Sequence, residues 1–114
     1  MFKAVRKYYS TSVRAAAVVD GLFEAVADDL PFERGDEVAL MINGLGGTPL
    51  HELYLLYRRA AIRAMDRSVK VIRAFVPDYC TSLEMAGFSW TMLRLDSDLK
   101  ILLDAPADIP WRVF

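Results

Sequence analysis

One glycine-rich stretch carries the residues best suited to bind a ligand. It spans residues 43–48, NGLGGT, directly after the apolar run at residues 38–42. That run predicts a buried strand, and the glycines allow positive φ or close backbone approach. Thr48 and Pro49 fit the cap and first position of a helix. Two interpretations stay open, an anion-binding or ligand-binding loop and a tight strand-to-helix connection. The candidate loop residues are Asn43, Gly44, Gly46, Gly47 and Thr48.

The loop does not match the common phosphate-binding motifs. Pro49 stands where a dinucleotide fingerprint has its third glycine, and no Gly-Lys-Ser/Thr follows. The single histidine, His51, is expected at the surface or an interface, and the single cysteine, Cys80, as a buried thiol. Because no ligand set has metal-binding spacing, we predict neither a metal site nor a cofactor.

A cationic patch is the second candidate site. Arg58, Arg59 and Arg63 follow one another along the predicted second helix. A solvated helix face explains them, and so does an interface with an acidic partner protein.

Composition limits the class of protein. The 114 residues make one domain, and the net charge of -1 gives no attraction to nucleic acid. The longest apolar runs are too short to cross a membrane, and a lone cysteine favours a reducing cytoplasm. Since 54% of the residues are hydrophobic, we expect a covered surface, and therefore a homodimer or larger.

Periodicity predicts a strand–helix–strand core. Apolar residues recur at helical spacing over residues 13–30 and again over residues 49–66. Residues 69–76 alternate as a second strand. Two strands joined by a helix form a βαβ unit, so we expect parallel strands and a right-handed crossover.

The region after this core predicts a short helix and a third strand. Residues 81–84, TSLE, match a capping box, and Gly87 closes the helix. Alternation from Phe88 predicts the strand. Leu93 and Leu95 change its phase, which indicates either a bulge or burial on both faces.

The two ends of the chain are read separately. Asp96 is predicted to cap a last helix over residues 97–103, and the apolar tail at residues 109–114 to pack on something. Residues 1–13 form a basic segment, interpreted as a mobile arm or a mitochondrial presequence. Residues 14–114 are predicted to form a single α/β domain.

Three blocks together resemble a known family. GDEVALMINGLGGTPLHELYLLYRR, YCTSLEMAGFSWTMLRLD and LLDAPAD, in this order and spacing, are similar to the C-terminal part of the K subunit of dihydroxyacetone (glycerone) kinase. The likeness covers residues 23–108. It implies a two-layer α/β domain with a mixed sheet and helices on one face. It also implies a dimer in the cytoplasm that works with a larger substrate-binding domain and an L subunit carrying the phosphoryl donor.

The same resemblance implies a domain without catalysis of its own. In the family, a histidine in a His-Gly-Glu-Pro segment holds dihydroxyacetone covalently, and no such segment occurs in residues 1–22. The family's Gly-Gly-Gly-Ser-Gly-His-Glu-Pro loop is absent too. We therefore expect a scaffold or oligomerisation module of a glycerone kinase. A stand-alone regulatory or ligand-binding module, related to the family's activator paralogues, is the alternative.

Overall fold

The computed structural model describes residues 4–6, 15–76 and 78–108. The remaining parts of the predicted arm and the apolar tail lie outside the described residues. The elements in chain order are β1 (Ala4–Arg6), α1 (Ala15–Asp29), β2 (Glu37–Gly44), α2 (Leu50–Asp66), β3 (Lys70–Phe75), β4 (Phe88–Leu95) and α3 (Ser97–Asp104).

The four strands form one mixed sheet in the order β1-β4-β2-β3. β2 and β3 are parallel and are joined by α2, as the periodicity predicts. β4 pairs antiparallel with β2 in unbroken register from Glu37↔Leu95 to Gly44↔Phe88. β1 pairs antiparallel with β4, so three residues of the predicted N-terminal arm belong to the sheet. The mixed α/β fold class is confirmed.

The main hydrophobic core lies between the sheet and the two long helices. Alternate residues of β2 point into it, and Trp90 on β4 is fully buried. The ring of Trp90 meets Phe23 of α1 edge to face, with centroids 5.9 Å apart. The apolar stripe read from the sequence accounts for the α1 part of this core. On α2 the interpretation is wrong for part of the stripe, because Leu50, Tyr54 and Met65 are exposed. The helical members of the core are Val18, Val19, Leu22, Phe23, Val26 and Ala27 on α1, and Leu53, Leu56, Ala60 and Ala64 on α2.

A smaller apolar cluster covers the opposite face of the sheet. Ala39, Phe75 and Leu95 are its buried members, and Leu99 and Leu103 of α3 pack against them. The third helix therefore lies on the other side of the sheet from α1 and α2, so the expected layering with helices on one face is not confirmed. Its start is as predicted, because Asp96 accepts a hydrogen bond from the Leu99 amide at 2.8 Å.

The change of phase in β4 results from burial on both faces. The β2–β4 register has no irregularity, and Leu93 and Leu95 belong to the smaller cluster. A bulge occurs instead on the edge strand β3. Val38 pairs with Val71 and Ala39 with Arg73, so Ile72 is an extra residue.

The predicted helix at residues 81–84 does not form. The segment is a series of bends ending in a bridge between Met85 and Gly46. The Thr81 hydroxyl donates to the Ser82 carbonyl and does not cap a helix. The capping-box prediction is wrong because this segment takes its hydrogen bonds from the loop after β2.

No helix within the described residues is both long enough and apolar enough to cross a lipid bilayer.

Candidate functional site

The candidate loop lies against a second loop. We call residues 43–48 the glycine loop and residues 78–87 the facing loop. The glycine loop begins with the last two residues of β2, Asn43 and Gly44, and leads into α2, while the facing loop connects β3 to β4. Their backbones join through Gly47 N to the Met85 carbonyl at 2.9 Å and Met85 N to the Leu45 carbonyl at 3.1 Å. The two loops therefore form one structural unit.

Asn43 connects the two loops from the inside. Its side chain is only 4% exposed and makes four hydrogen bonds. Oδ1 accepts the amides of Tyr79 at 2.7 Å and Cys80 at 2.9 Å. Nδ2 donates to the Cys80 carbonyl at 2.9 Å and to Ser89 Oγ at 3.2 Å. All four bonding positions of the amide group are thus occupied within the domain.

Thr48 fastens the other end of the glycine loop. Its hydroxyl donates to the Gly87 carbonyl at 2.8 Å and accepts the Gly87 amide at 2.9 Å. The prediction that Thr48 caps α2 is wrong. Pro49 occupies the cap position, and no side chain bonds there. The hydroxyl is held by Gly87, so it does not reach the helix amides.

Close approach of backbone atoms requires glycine at Gly46 and Gly47, while at Gly44 the nearest atoms are the ends of side chains. A Cβ on Gly46 would lie 2.7 Å from the Ser82 carbonyl oxygen, and the φ of Gly46 is +100°. A Cβ on Gly47 would lie 2.8 Å from the Ala86 amide nitrogen, and one on Gly44 would overlap the Asp78 carboxylate at 1.9 Å. The glycines therefore let the facing loop pack directly on the backbone.

These contacts bear on the ligand-binding prediction. The hydroxyl of Thr48, the amide of Gly47 and the whole side chain of Asn43 bond to other parts of the domain. A ligand at these groups would have to displace the facing loop. The arrangement matches the tight-connection interpretation, while binding at the loop stays a prediction.

The three predicted interface arginines divide into two kinds. Arg59 forms a two-pronged pair with Asp20 of α1, with Nε and Nη2 at 2.9 and 2.8 Å from the two carboxylate oxygens. Arg63 pairs with Glu24 and lies over the Phe23 ring at 5.7 Å. Arg58 is exposed and forms no ion pair within the described residues. Of the patch, only Arg58 therefore keeps its charge available to a partner.

The remaining titratable groups of the described residues include the single histidine and the single cysteine. His51 is exposed, as expected, on the first turn of α2. Cys80 is exposed, so the prediction of a buried thiol is wrong: Asn43 binds the backbone of Cys80 and leaves its side chain outside. Burial, with Tyr54 nearby, raises the pKa of Tyr79. Among the described residues, no group of His, Cys, Asp and Glu side chains could hold a metal ion.

Sequence reasoning identified Asn43 and Thr48 but not their partners. The partners Cys80, Gly87 and Ser89 lie 37–46 residues further along the chain. No local sequence pattern predicts hydrogen bonds between residues so far apart in the chain. The capping-box match wrongly predicted a helix in the facing loop.

Comparison with known proteins gives a consistent set of relatives. A family model described as the Dak1 domain matches residues 5–111. The dihydroxyacetone-binding subunit DhaK of a PTS-dependent dihydroxyacetone kinase from Listeria innocua is 39% identical over 102 residues, which cover 89% of this chain and 31% of the relative. The corresponding PEP-dependent subunit of Escherichia coli is 42% identical over 80 residues, covering 70% of this chain and 22% of the relative.

Solved structures share the fold. A dihydroxyacetone kinase operon co-activator superposes with a TM-score of 0.77 at 23% identity, over 82% of this chain and 30% of that one. The dihydroxyacetone kinase of C. freundii gives a TM-score of 0.62 at 25% identity, over 89% of this chain and 20% of that one. The chain spans less than a third of the length of each of these proteins.

Proposed function

The chain belongs to the Dak1 domain family, and from that premise we propose that it is a scaffold or oligomerisation module of a dihydroxyacetone kinase assembly. It corresponds to the C-terminal part of the K subunit and has no catalysis of its own. In this proposal it acts in the cytoplasm as a homodimer. Its partners are an L subunit or a separate substrate-binding domain.

One observation carries the proposal. The polar groups that suggested a ligand site, the Asn43 side chain and the Thr48 hydroxyl, bond instead to the facing loop. The chain also lacks the histidine segment that holds substrate in kinases of this kind, since its only histidine, His51, is followed by Glu52 and Leu53. A domain whose polar groups maintain its own fold is suited to a structural role.

The direct test is an activity assay on the purified full chain. We expect no phosphorylated product when the chain alone receives ATP or phosphoenolpyruvate together with dihydroxyacetone. Robust product formation without another subunit would overturn the proposal. A DhaK-type relative, supplied with its own phosphoryl donor system, serves as the positive control for the assay.

A regulatory module is the second candidate, and the position of the glycine loop at the carboxyl end of β2 supports it. Ligands of α/β proteins gather at this edge of a sheet. Titration of dihydroxyacetone phosphate and related sugar phosphates against the melting temperature separates the two candidates. A ligand specific to the folded state must raise that temperature. For a scaffold we expect no shift, and a saturable rise would favour the regulatory module.

A further inference from the structure

The two faces of the sheet are covered unequally within the described residues. α1 and α2 lie over one face with 15 and 17 residues, whereas α3 lies over the other with eight, none of them buried. The smaller cluster on the α3 face has three buried members, and five further members are only partly buried. These five are Met41, Tyr79, Leu93, Leu99 and Leu103. A sheet face needs a covering layer, so this second core is incomplete in the part of the chain that the structure describes.

Two ion pairs place α3 over one end of the sheet. Lys100 binds Glu37 at the start of β2, and Asp104 binds Arg73 in β3. Arg73 pairs with Ala39 in the strand register, and Ala39 is buried in the cluster against which α3 packs. The helix therefore covers the first half of β2.

Beyond α3, the same face carries a row of partly open side chains. Met41 of β2 pairs with Phe75 of β3 on one side and with Thr91 of β4 on the other. Met41 and Thr91 are partly exposed. Phe75 is buried, and its ring meets Tyr79 edge to face with centroids 6.0 Å apart. We call this row of three side chains, bounded by α3 and by Tyr79, the channel.

The segment that follows α3 has the pattern needed to fill the channel. The chain leaves the helix at Ala105 in an extended conformation, and residues 105–108 are exposed. Residues 109–114, IPWRVF, are the apolar tail. Apolar side chains at positions 109, 111 and 113 alternate with Pro110 and Arg112. A period of two is typical of an extended segment with one apolar face.

We propose that the apolar tail packs along the channel as an extended segment and completes the second core. Ile109, Trp111 and Val113 face the sheet in this arrangement. The occupant is a segment of the same chain and not a second copy or a separate protein. The inference goes beyond the scaffold role and does not depend on it.

The length of the tail suits this position. Residues 105–114 span at most about 33 Å when extended. The channel crosses three adjacent strands and is only about 10 Å wide. Its floor begins at Phe75, two residues beyond Arg73, which is the partner of the last α3 residue. The tail therefore reaches the whole channel without any change in α3.

The polar residues of the tail fit the same position. Pro110 and Arg112 face solvent when the apolar positions face the sheet. Pro110 has no amide that would need a partner, and Arg112 keeps its charge in water. Neither residue is therefore buried at a cost.

The outer side of α2 offers the tail another apolar surface, on which Leu55 is 54% exposed. This surface lies across the sheet from α3, because the two helices pack against opposite faces. The tail would have to pass around the edge at β3 to reach it. The channel is the nearer surface, and α2 therefore serves as the control.

Fluorescence quenching tests the proposal on the full chain, because the protein has only two tryptophans. Trp90 is fully buried, so iodide quenching reports on Trp111. We expect most of the native emission to resist iodide. Val113→Asp in the tail and Met41→Lys in the channel should each release Trp111, so that roughly half of the emission becomes quenchable. Circular dichroism checks that each variant stays folded.

Leu55→Lys is the matched control, since it places the same charge on the α2 surface, and it should leave the quenching unchanged. A wild-type protein in which iodide already quenches half of the emission would overturn the proposal. A Trp111 that stays shielded in Met41→Lys would overturn it too, because the tail would then lie elsewhere. Release by Leu55→Lys would assign the tail to α2.

Crosslinking tests the geometry without a charge in the sheet. In a Cys80→Ser background, Met41→Cys combined with Trp111→Cys should form a bridge within one chain when treated with a short bis-maleimide. Leu55→Cys combined with Trp111→Cys should not. A covalent dimer in place of the bridged monomer would overturn the proposal by assigning the channel to the tail of a second copy. Phosphorylation by the chain alone would refute the scaffold role and leave the tail packing standing.

Discussion

At the scale of single residues, Asn43 has the largest structural effect in the candidate site. Its side-chain amide group forms the hydrogen bonds that water would otherwise make with two backbone amides and one backbone carbonyl. These backbone groups belong to Tyr79 and Cys80, which lie outside any helix or strand. Buried polar groups without partners are costly, so this one side chain determines whether the facing loop can pack on the sheet.

Replacement of Asn43 tests this role. We expect Asn43→Ala to lower the free energy of unfolding by about 2–3 kcal/mol, because the amides of Tyr79 and Cys80 lose their acceptor. Urea denaturation followed by circular dichroism measures the change. Ser89→Ala removes only the 3.2 Å bond and should cost less than about 1 kcal/mol. Equal losses in the two variants would contradict the assignment.

Alanine variants of Gly21, Gly35 and Gly46 separate the effect of positive φ from the effect of close contacts. Gly21 has no atom within 4 Å of a built Cβ and lies in α1, so Gly21→Ala should stabilise the domain by about 0.5–1 kcal/mol. Gly35 has the same open space but a φ of +89°, and its alanine variant should cost about 1–2 kcal/mol.

Gly46 combines positive φ with a carbonyl oxygen at 2.7 Å. Gly46→Ala should therefore cost more than Gly35→Ala, by about 1 kcal/mol or more. Thermal melts of the three variants against the wild type give the order directly. An alanine at Gly46 that is no worse than one at Gly35 would show that the facing loop moves aside easily.

At the scale of elements, charged side chains join α1 to α2 along their outer edge. Arg59 holds Asp20 through two hydrogen bonds, and Arg63 and Arg67 both pair with Glu24. These pairs are partly exposed, so each contributes little by itself. Together they connect the two helices along the edge that the core does not cover.

This contact predicts a dependence on pH. The Arg59 guanidinium, by its hydrogen bonds, holds the pKa of Asp20 below its ordinary value of 3.8. A lowered carboxyl pKa contributes stability at neutral pH, and that contribution is lost as the pH falls through the folded-state value. Asp20→Asn should therefore be less stable than the wild type at pH 7, and the two should converge as the pH falls through the lowered folded-state pKa of Asp20. Urea titrations at several pH values measure the difference.

The helices on the two faces of the sheet are buried to different extents. α3 has no buried residue and rests on the sheet through Leu99 and Leu103, which are only partly buried. Leu53 of α2 is 1% exposed. Leu103→Ala should cost about 1 kcal/mol, and Leu53→Ala about 2–4 kcal/mol. Hydrogen exchange should find the amides of α3 less protected than those of β2, and equal protection would contradict this order.

At the scale of the whole molecule, the fold could be predicted where the signals are local. The apolar run at residues 38–42 and the helical spacing of α2 led directly to the parallel β2–α2–β3 unit, because the periods of strand and helix differ. The Asp96 cap was found because a helix cap is also a local signal. The β4 prediction needed only the alternation from Phe88 to Met92.

The parts that were missed depend on residues distant in sequence. Residues 81–84 match a capping box locally, but in the structure this segment forms hydrogen bonds with the glycine loop instead. The exposure of Cys80 and the pairing of Arg59 and Arg63 with α1 likewise follow from tertiary placement. Such contacts override local preference, and a single sequence does not contain them in readable form.

The bulge at Ile72 has a consequence for how copies of this chain can meet. β3 is the last strand in the order of the sheet, and exposed edge strands recruit identical strands into growing aggregates. The extra residue breaks the even spacing of its amides and carbonyls, and Lys70 adds an exposed cationic side chain, while Arg73 is paired with Asp104 of α3. A matching strand from another copy would meet misaligned donors and acceptors. We therefore expect this edge of the sheet to resist fibre-like growth.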